Sequence, residues 1–298
     1  MTKETKKVVL IVGFIIFATI VGFYDRAVQK STPNVSVLPK PAILVIPVEG
    51  VISSTGTDWN SSIVDAIASQ LDSAKETKSI KAVILRVNSP GGTVGASQEI
   101  YQSIMRFRNE TEKPVVVSIM DIGASGAYWI AMAGDYIFAQ PGSIVGSLGV
   151  ITQTLDLTDV KKKYGVGLRT YKAGQYKDLL NPWREPEKGD EWIVNTMLTS
   201  IHSQFKQTLK DRRNITEENL EKIADGRIYS GQDALNHNLV DQVGGFYDAI
   251  QYASSISKIS DPDIIYPERG IKDWFQSFRA VKGSLEAILS GSEYKYIY

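Results

Sequence analysis

The chain has 298 residues with 33 basic and 33 acidic side chains, a formal net charge of zero. That balance excludes broad nucleic-acid binding through a cationic surface, and 43% hydrophobic content excludes a disordered chain. With no cysteines and only two histidines, His202 and His237, disulfides, thiol catalysis, cysteine–zinc sites and a multi-histidine metal centre are excluded as well.

Charge is unevenly placed. Residues 1–30 carry a net +3 and the remainder a net −3. Val8 to Tyr24 holds no charged residue and is flanked by Lys3, Lys6, Lys7 and Arg26. At ~1.5 Å rise per residue it reaches roughly 25 Å, close to a ~30 Å hydrocarbon core once flanking basic residues snorkel. A cleaved signal peptide would end in a small-x-small site, and Phe23-Tyr24-Asp25-Arg26 is not one. The expectation is one uncleaved transmembrane helix at 8–24, a cytoplasmic tail at 1–7, and an extracytoplasmic body. Residues 25–41, with three prolines, read as a linker.

From Ala42 the pattern alternates. Ala42–Val48, Ile80–Val87 and Val115–Met120 are short apolar runs rich in β-branched residues, expected as buried strands. Ser62–Thr77 and Ala96–Arg108 between them have helical spacing. Tyr136–Ala139, Gly149–Thr154 and Leu168–Tyr171 are expected as further strands, with a helix at Leu157–Tyr164. Beyond Pro186, Ile193, Met197, Ile201, Phe205 and Leu209 recur every fourth residue and predict a long amphipathic helix. Thr216 is the expected N-cap of the next helix, followed by helices at Gly231–Asn236, Phe246–Ser255 and Asp273–Leu289. Strand–helix alternation followed by helices argues for an α/β core with parallel strands and a helical C-terminal portion.

Four short stretches can carry chemistry. Ser125 stands in Gly123-Ala124-Ser125-Gly126-Ala127, where a strand gives way to a helix. A serine there can be a nucleophile beside free helix N–H groups; the same residues also fit a glycine-rich turn with Ser125 as N-cap. Ser89-Pro90-Gly91-Gly92 follows a strand and exposes backbone N–H groups, either as half of an oxyanion hole or as an ordinary turn. Lys177 and Lys172 are the lysines of the segment Tyr171–Asp178. Either could serve a Ser-Lys pair if neutral, and both also suit a solvated surface. Ser147, in Gly146-Ser147-Leu148-Gly149, could orient such a lysine or simply make a turn. His202 and His237 fit scaffold positions better than a triad.

Taken together, these motifs resemble one family, the short membrane-anchored signal peptide peptidases A, serine proteases of the ClpP/crotonase-like (repeated ββα) fold. The resemblance runs from about Ala42 to Gly245. It rests on Val87-Asn88-Ser89-Pro90-Gly91-Gly92, on Asp121 through Trp129, on Gly146-Ser147-Leu148-Gly149-Val150 and on Tyr176-Lys177-Asp178. Ala224-Asp225-Gly226-Arg227 and Leu239 to Gly245 complete it. Ala127 and Trp129 stand where members often have Gly and Tyr. The resemblance implies Ser125 as nucleophile, Lys177 rather than Lys172 as general base, and Ser147 as the residue positioning the lysine. It implies Gly92 and Gly126 as oxyanion-hole donors, with no cofactor and no metal. The implied substrates are hydrophobic peptides, chiefly remnant signal peptides. The implied assembly is a homo-oligomeric ring in which serine and lysine come from adjacent protomers. The domain expectation is a protease domain at 42–250 and a helical extension at 251–298. Alternatives on the same fold are a crotonase-type acyl-CoA enzyme and a non-catalytic membrane scaffold.

Overall fold

A computed structural model describes residues 40–55 and 62–267. The expected membrane helix at 8–24, most of the linker and the expected helix Asp273–Leu289 lie outside the described residues. Among those described, no helix is long and apolar enough to cross a membrane. The elements below all belong to the compact unit Pro41–Ile265.

Three long strands form its centre: β1 (Ala42–Ile52), β2 (Ile80–Gly92) and β3 (Val115–Ala124). Each is an almost unbroken run of buried aliphatic residues, the signature of parallel strands covered on both faces. β1 pairs with β2 and β2 with β3, all parallel, with Val45 opposite Ile84 and Ile84 opposite Val116. The connections are helices, as parallel pairing requires: α1 (Ile63–Glu76), capped by Ser62, and α2 (Val94–Glu110).

β3 then does two things along its length. Val116–Ile119 pairs with β4 (Tyr136–Ala139), whereas Ile122–Ala124 pairs with β5 (Ile144–Gly146). Between β3 and β4 lies α3 (Gly126–Ala131), a six-residue helix buried on every side. The sheet order is β6-β5-β3-β2-β1-β8, with β6 (Ile228–Ser230) antiparallel to β5 and β8 (Asp263–Ile265) parallel to β1. β7 (Gln242–Val243) adds to β4.

The remaining helices are α4 (Thr158–Tyr164), α5 (Asp190–Arg213), α6 (Glu217–Ile223), α7 (Gly231–Asn236) and α8 (Phe246–Ile256). Thr216 caps α6 as expected, accepting from the Asn219 amide. α8 covers one sheet face through Ala249 and Ala253, which pack on Ile43, Val45, Ile84, Val116 and Phe138. The boundary expected at residue 250 falls inside α8, and β8 carries the compact unit on to Ile265.

Two expected strands are absent from the single chain. Gly149–Thr154 and Leu168–Tyr171 have strand-like composition but no sheet partner there. Ile151 is 81% exposed and Tyr171 92%. A strand is defined by its ladder, and composition alone does not supply one.

Candidate active site

Three parallel strands end at one place. Ile52 lies opposite Gly92, Ser89 opposite Gly123, and Ala124 opposite Gly146. The carboxyl ends of β2, β3 and β5 therefore deliver Gly92, Ser125 and Ser147 to a common edge. In α/β sheets this is the edge at which ligands bind.

Ser125 follows β3 and precedes α3. Its backbone has φ 52° and ψ −124°, a region that side-chain-bearing residues rarely occupy. The cost is of order 1–3 kcal/mol and is sustained by surrounding hydrogen bonds. The Ser125 amide donates to the Gly146 carbonyl (2.8 Å), and its own carbonyl accepts from the Trp129 amide (3.0 Å). The half-buried side chain is thus turned out of both strand and helix. Its Oγ makes no hydrogen bond among the described residues, so it does not cap α3. Ser125 thus occupies the N-cap position left open by the sequence, without its side chain serving as the cap.

Gly126 is the first residue of α3, where an N–H has no intrahelical acceptor. A side chain on it would run into Ser97 Oγ and come within 3.4 Å of the Gly92 amide nitrogen. The backbones at 92 and 126 are therefore neighbours. Gly91, at φ 97°, packs equally close: a Cβ there would lie 2.7 Å from the Gly126 nitrogen and 2.9 Å from Ser125 Cβ. Gly92 backs onto the Ile52 carbonyl, which a Cβ would overlap. Ser89 holds the turn, with Oγ donating to the Gly50 carbonyl (2.6 Å) and accepting from the Gly91 amide (3.1 Å).

These contacts yield a first test. Gly92→Ala is expected to destabilise the fold by about 1–3 kcal/mol, because rigid backbone blocks the added methyl. Gly126→Ala meets the side chain of Ser97 instead. Pairing it with Ser97→Gly should recover stability, measured by denaturant unfolding. Equal stability losses in the single and double variants would refute the packing argument.

Ser147 sits on the adjoining turn at φ 52°, its amide donating to the Arg227 carbonyl (2.8 Å). Its Oγ also makes no hydrogen bond among the described residues. His202 on α5 contacts the neighbouring Leu148 carbonyl at 3.1 Å and is scaffold, as expected.

Lys177 is not brought to Ser125 by any hydrogen bond or strand pairing in the single chain. It lies on a run of turns at 173–180, exposed, and its Nζ has no hydrogen bond or ion pair among the described residues. Lys172 is quite different. Its Nζ donates to Asp178 Oδ1 (2.6 Å) and the Gln175 carbonyl (2.7 Å). The Asp178 hydrogen bond raises its pKa, which opposes the neutral form a base requires. Asp178 in turn accepts from Arg184, which also binds Asp190 at 2.5 Å. Arg184 and then Lys172 hold the Asp178 carboxyl down at about 2. Asp178 is thus committed to Lys172 and Arg184, and Lys177 stands apart from that network.

Beside Gly92 lies a groove of 440 Å³ lined by Val51, Val94, Val150, Ile151, Met197 and Ile201. The helical stripe expected on α5 therefore divides. Phe205 and Leu209 are core, whereas Met197 and Ile201 face the groove. Among the described residues no cluster of His, Asp or Glu could hold a metal ion. Sequence reasoning overlooked Ser97, which packs on Gly126, and Arg108 and Arg212, which reach the far end of α3. No local pattern marks any of them.

A family model described as Peptidase family S49 matches residues 107–260, and one described as Clp protease matches residues 49–146. A relative in Enterococcus faecium named "Putative signal peptide peptidase SppA" is 32% identical over 230 residues, covering 75% of this chain and 66% of that protein. A Methanocaldococcus jannaschii protein named as a protease is 37% identical over 203 residues, covering 68% and 64%. Protease 4 of Haemophilus influenzae is 33% identical over 235 residues, covering 78% and 36%. The matched part is thus a little under two thirds of the first two relatives and about a third of the last. On these matches, over an α/β sheet that gathers Ser125, Gly92, Gly126 and Ser147 at one edge, the chain belongs to peptidase family S49.

Proposed function

We propose that the chain is a membrane-tethered serine endopeptidase that cleaves hydrophobic peptides, chiefly remnant signal peptides, with a Ser125–Lys177 dyad on a ClpP/crotonase-like core. One observation carries the reading: Ser125 is held in a strained turn, its hydroxyl unengaged, next to the closely packed backbones of Gly92 and Gly126.

In this mechanism neutral Lys177 Nζ takes the Ser125 Oγ proton as Oγ bonds to the scissile carbonyl carbon. The carbonyl oxygen gains the negative charge and accepts from the Gly92 and Gly126 N–H groups. As the C–N bond breaks, the Lys177 ammonium protonates the leaving amine. A water then gives a proton to Lys177 and bonds to the acyl carbon, and as the acyl C–Oγ bond breaks the Lys177 ammonium returns that proton to Ser125 Oγ, regenerating the free serine and neutral lysine. Ser147 orients the lysine. The apolar groove beside Gly92 suits aliphatic side chains of an extended peptide.

The lysine is proposed to come from an adjacent protomer of a homo-oligomeric ring. In support, Lys177 is exposed and unpaired among the described residues. Between residues 151 and 192 the chain also exposes Ile151, Leu155, Tyr171 and Trp192, each 70% or more, apolar side chains that an adjacent protomer would cover. Residues 8–24 would tether the ring to the bilayer, with the body on the extracytoplasmic side.

Labelling of the full-length protein in detergent with a fluorophosphonate, followed by peptide mapping, tests this. A single adduct on Ser125 that stops cleavage of an apolar reporter peptide, with cleavage unaffected by EDTA, is the expected result. No adduct, together with acyl-CoA turnover in a Ser125→Ala variant, would favour the crotonase-type alternative. No adduct and no turnover of either substrate would favour a scaffold.

A further inference from the structure

α3 carries the proposed nucleophile at one end and is only six residues long. A helix this short has no stability of its own, and its place is set by what grips it. Two lateral contacts hold its middle. The Tyr128 hydroxyl donates to the Leu239 carbonyl at 2.6 Å, and Trp129 stacks on Phe205 of α5 with ring centres 4.5 Å apart.

The far end is held differently. The last carbonyls of a helix lack intrahelical donors. In α3 those of Tyr128, Ile130 and Ala131 accept from the Met132, Ala133 and Gly134 amides of the turn that follows, and the carbonyls of these three turn residues are each met by a guanidinium. Arg212 on α5 donates Nε to the Met132 carbonyl (2.9 Å) and Nη2 to the Gly134 carbonyl (3.0 Å). Arg108 on α2 donates Nη1 to the Ala133 carbonyl (2.7 Å) and Nη2 to Asp135.

This arrangement has a cost. Arg108 Nε is buried without a partner, and burial followed by the nearby Arg212 charge lowers the Arg108 pKa to about 10. Glycine or water could end an ordinary surface helix without bringing two cations together. The expense is explained if the end of α3 must not move.

We infer that Arg212, assisted by Arg108, is a positioning residue for peptide hydrolysis: it clamps the 132–134 turn that closes α3, and through that turn's amides the helix end, so that Ser125 and the Gly126 N–H stay registered against Gly92. This inference rests on the reading of Ser125 as nucleophile. α3 is roughly 9 Å long, so tilting its free end swings Ser125 out of line. A misplacement of about 1 Å at a reacting centre costs on the order of 10²-fold in rate. α5 adds leverage, because the helix bearing Arg212 also presents Met197 and Ile201 to the groove.

The test uses the full-length protein and counts active sites by fluorophosphonate labelling of Ser125. In Arg212→Ala, kcat per labelled site is expected to fall about 30- to 100-fold with KM within about twofold, and the labelling rate constant should fall in parallel. Arg212→Lys keeps the charge but reaches one carbonyl rather than two. It should recover part of the loss, and it serves as the reading if Arg212→Ala does not fold. An unchanged kcat per labelled site in these variants, with total activity merely following the amount of folded protein, would overturn the inference alone. Failure of the unsubstituted protein to label would overturn the Ser125 reading and this inference with it.

Discussion

Replacing Ser125 by Ala is expected to lower cleavage of an apolar reporter peptide by at least about 10⁴-fold while leaving the fold intact. The first half follows from chemistry: alanine has no hydroxyl to attack the carbonyl that the Gly92 and Gly126 amides would hold. The second half follows from local structure. Ser125 Oγ makes no hydrogen bond among the described residues, so its removal breaks nothing, and alanine suffers the same positive φ that serine does. Thermal unfolding should therefore be nearly superimposable on that of the unsubstituted protein. Retention of more than about a hundredth of the activity would remove Ser125 from the mechanism.

The second large effect is at Lys177. Lys177→Ala should match the Ser125→Ala loss, because a serine hydroxyl without a base is a poor nucleophile. Lys172→Ala should act otherwise. It leaves Asp178 with Arg184 alone and loosens the 172–190 arm, giving a modest fall in activity. The two inactive proteins also form a pair. If serine and lysine come from neighbouring protomers, co-refolding Ser125→Ala with Lys177→Ala in equal amounts rebuilds complete sites. In a closed ring about one site in four would pair an intact serine with an intact lysine. Activity near a quarter of the unsubstituted level is the expected result. No recovery, despite mixed rings demonstrated by mass, would show that the dyad lies within one chain.

Much of the fold was legible because parallel strands buried on both faces announce themselves. Ala42–Val48, Ile80–Val87 and Val115–Met120 contain few polar residues, and each became a central strand. Thr216 identified a helix start through its hydroxyl, and four-residue apolar spacing identified the helix that Ser62 caps. What escaped was set at long range. β5, β6 and β8 are three residues each, too short for any periodicity, and exist because a neighbour's edge was free. Gly149–Thr154 and Leu168–Tyr171 failed for the opposite reason, having composition without an edge.

The site divides along the same line. Ser125, Gly92, Gly126 and Ser147 sit in short motifs that turn the chain sharply, and local sequence reports local turns. Lys177 could not be separated from Lys172 on chemistry alone. What distinguishes their surroundings is that Asp178 engages Lys172, a matter of folding within residues 172–190. Ser97, Arg108 and Arg212 act across 29, 25 and 80 residues respectively, on a helix that no pattern connects to them.

The backbone of Ser125 has a consequence for descent as well as for catalysis. At φ 52° and ψ −124° glycine is the residue that fits without penalty, so the chain carries a standing disadvantage at the position proposed as its nucleophile. On the proposed role of Ser125, selection for peptide cleavage is what opposes its removal. In a lineage where that selection ceased, drift from Ser to Gly at this position would be favoured by stability alone. A glycine aligned with Ser125, in an otherwise intact relative, would therefore mark a peptidase that has retired into a scaffold.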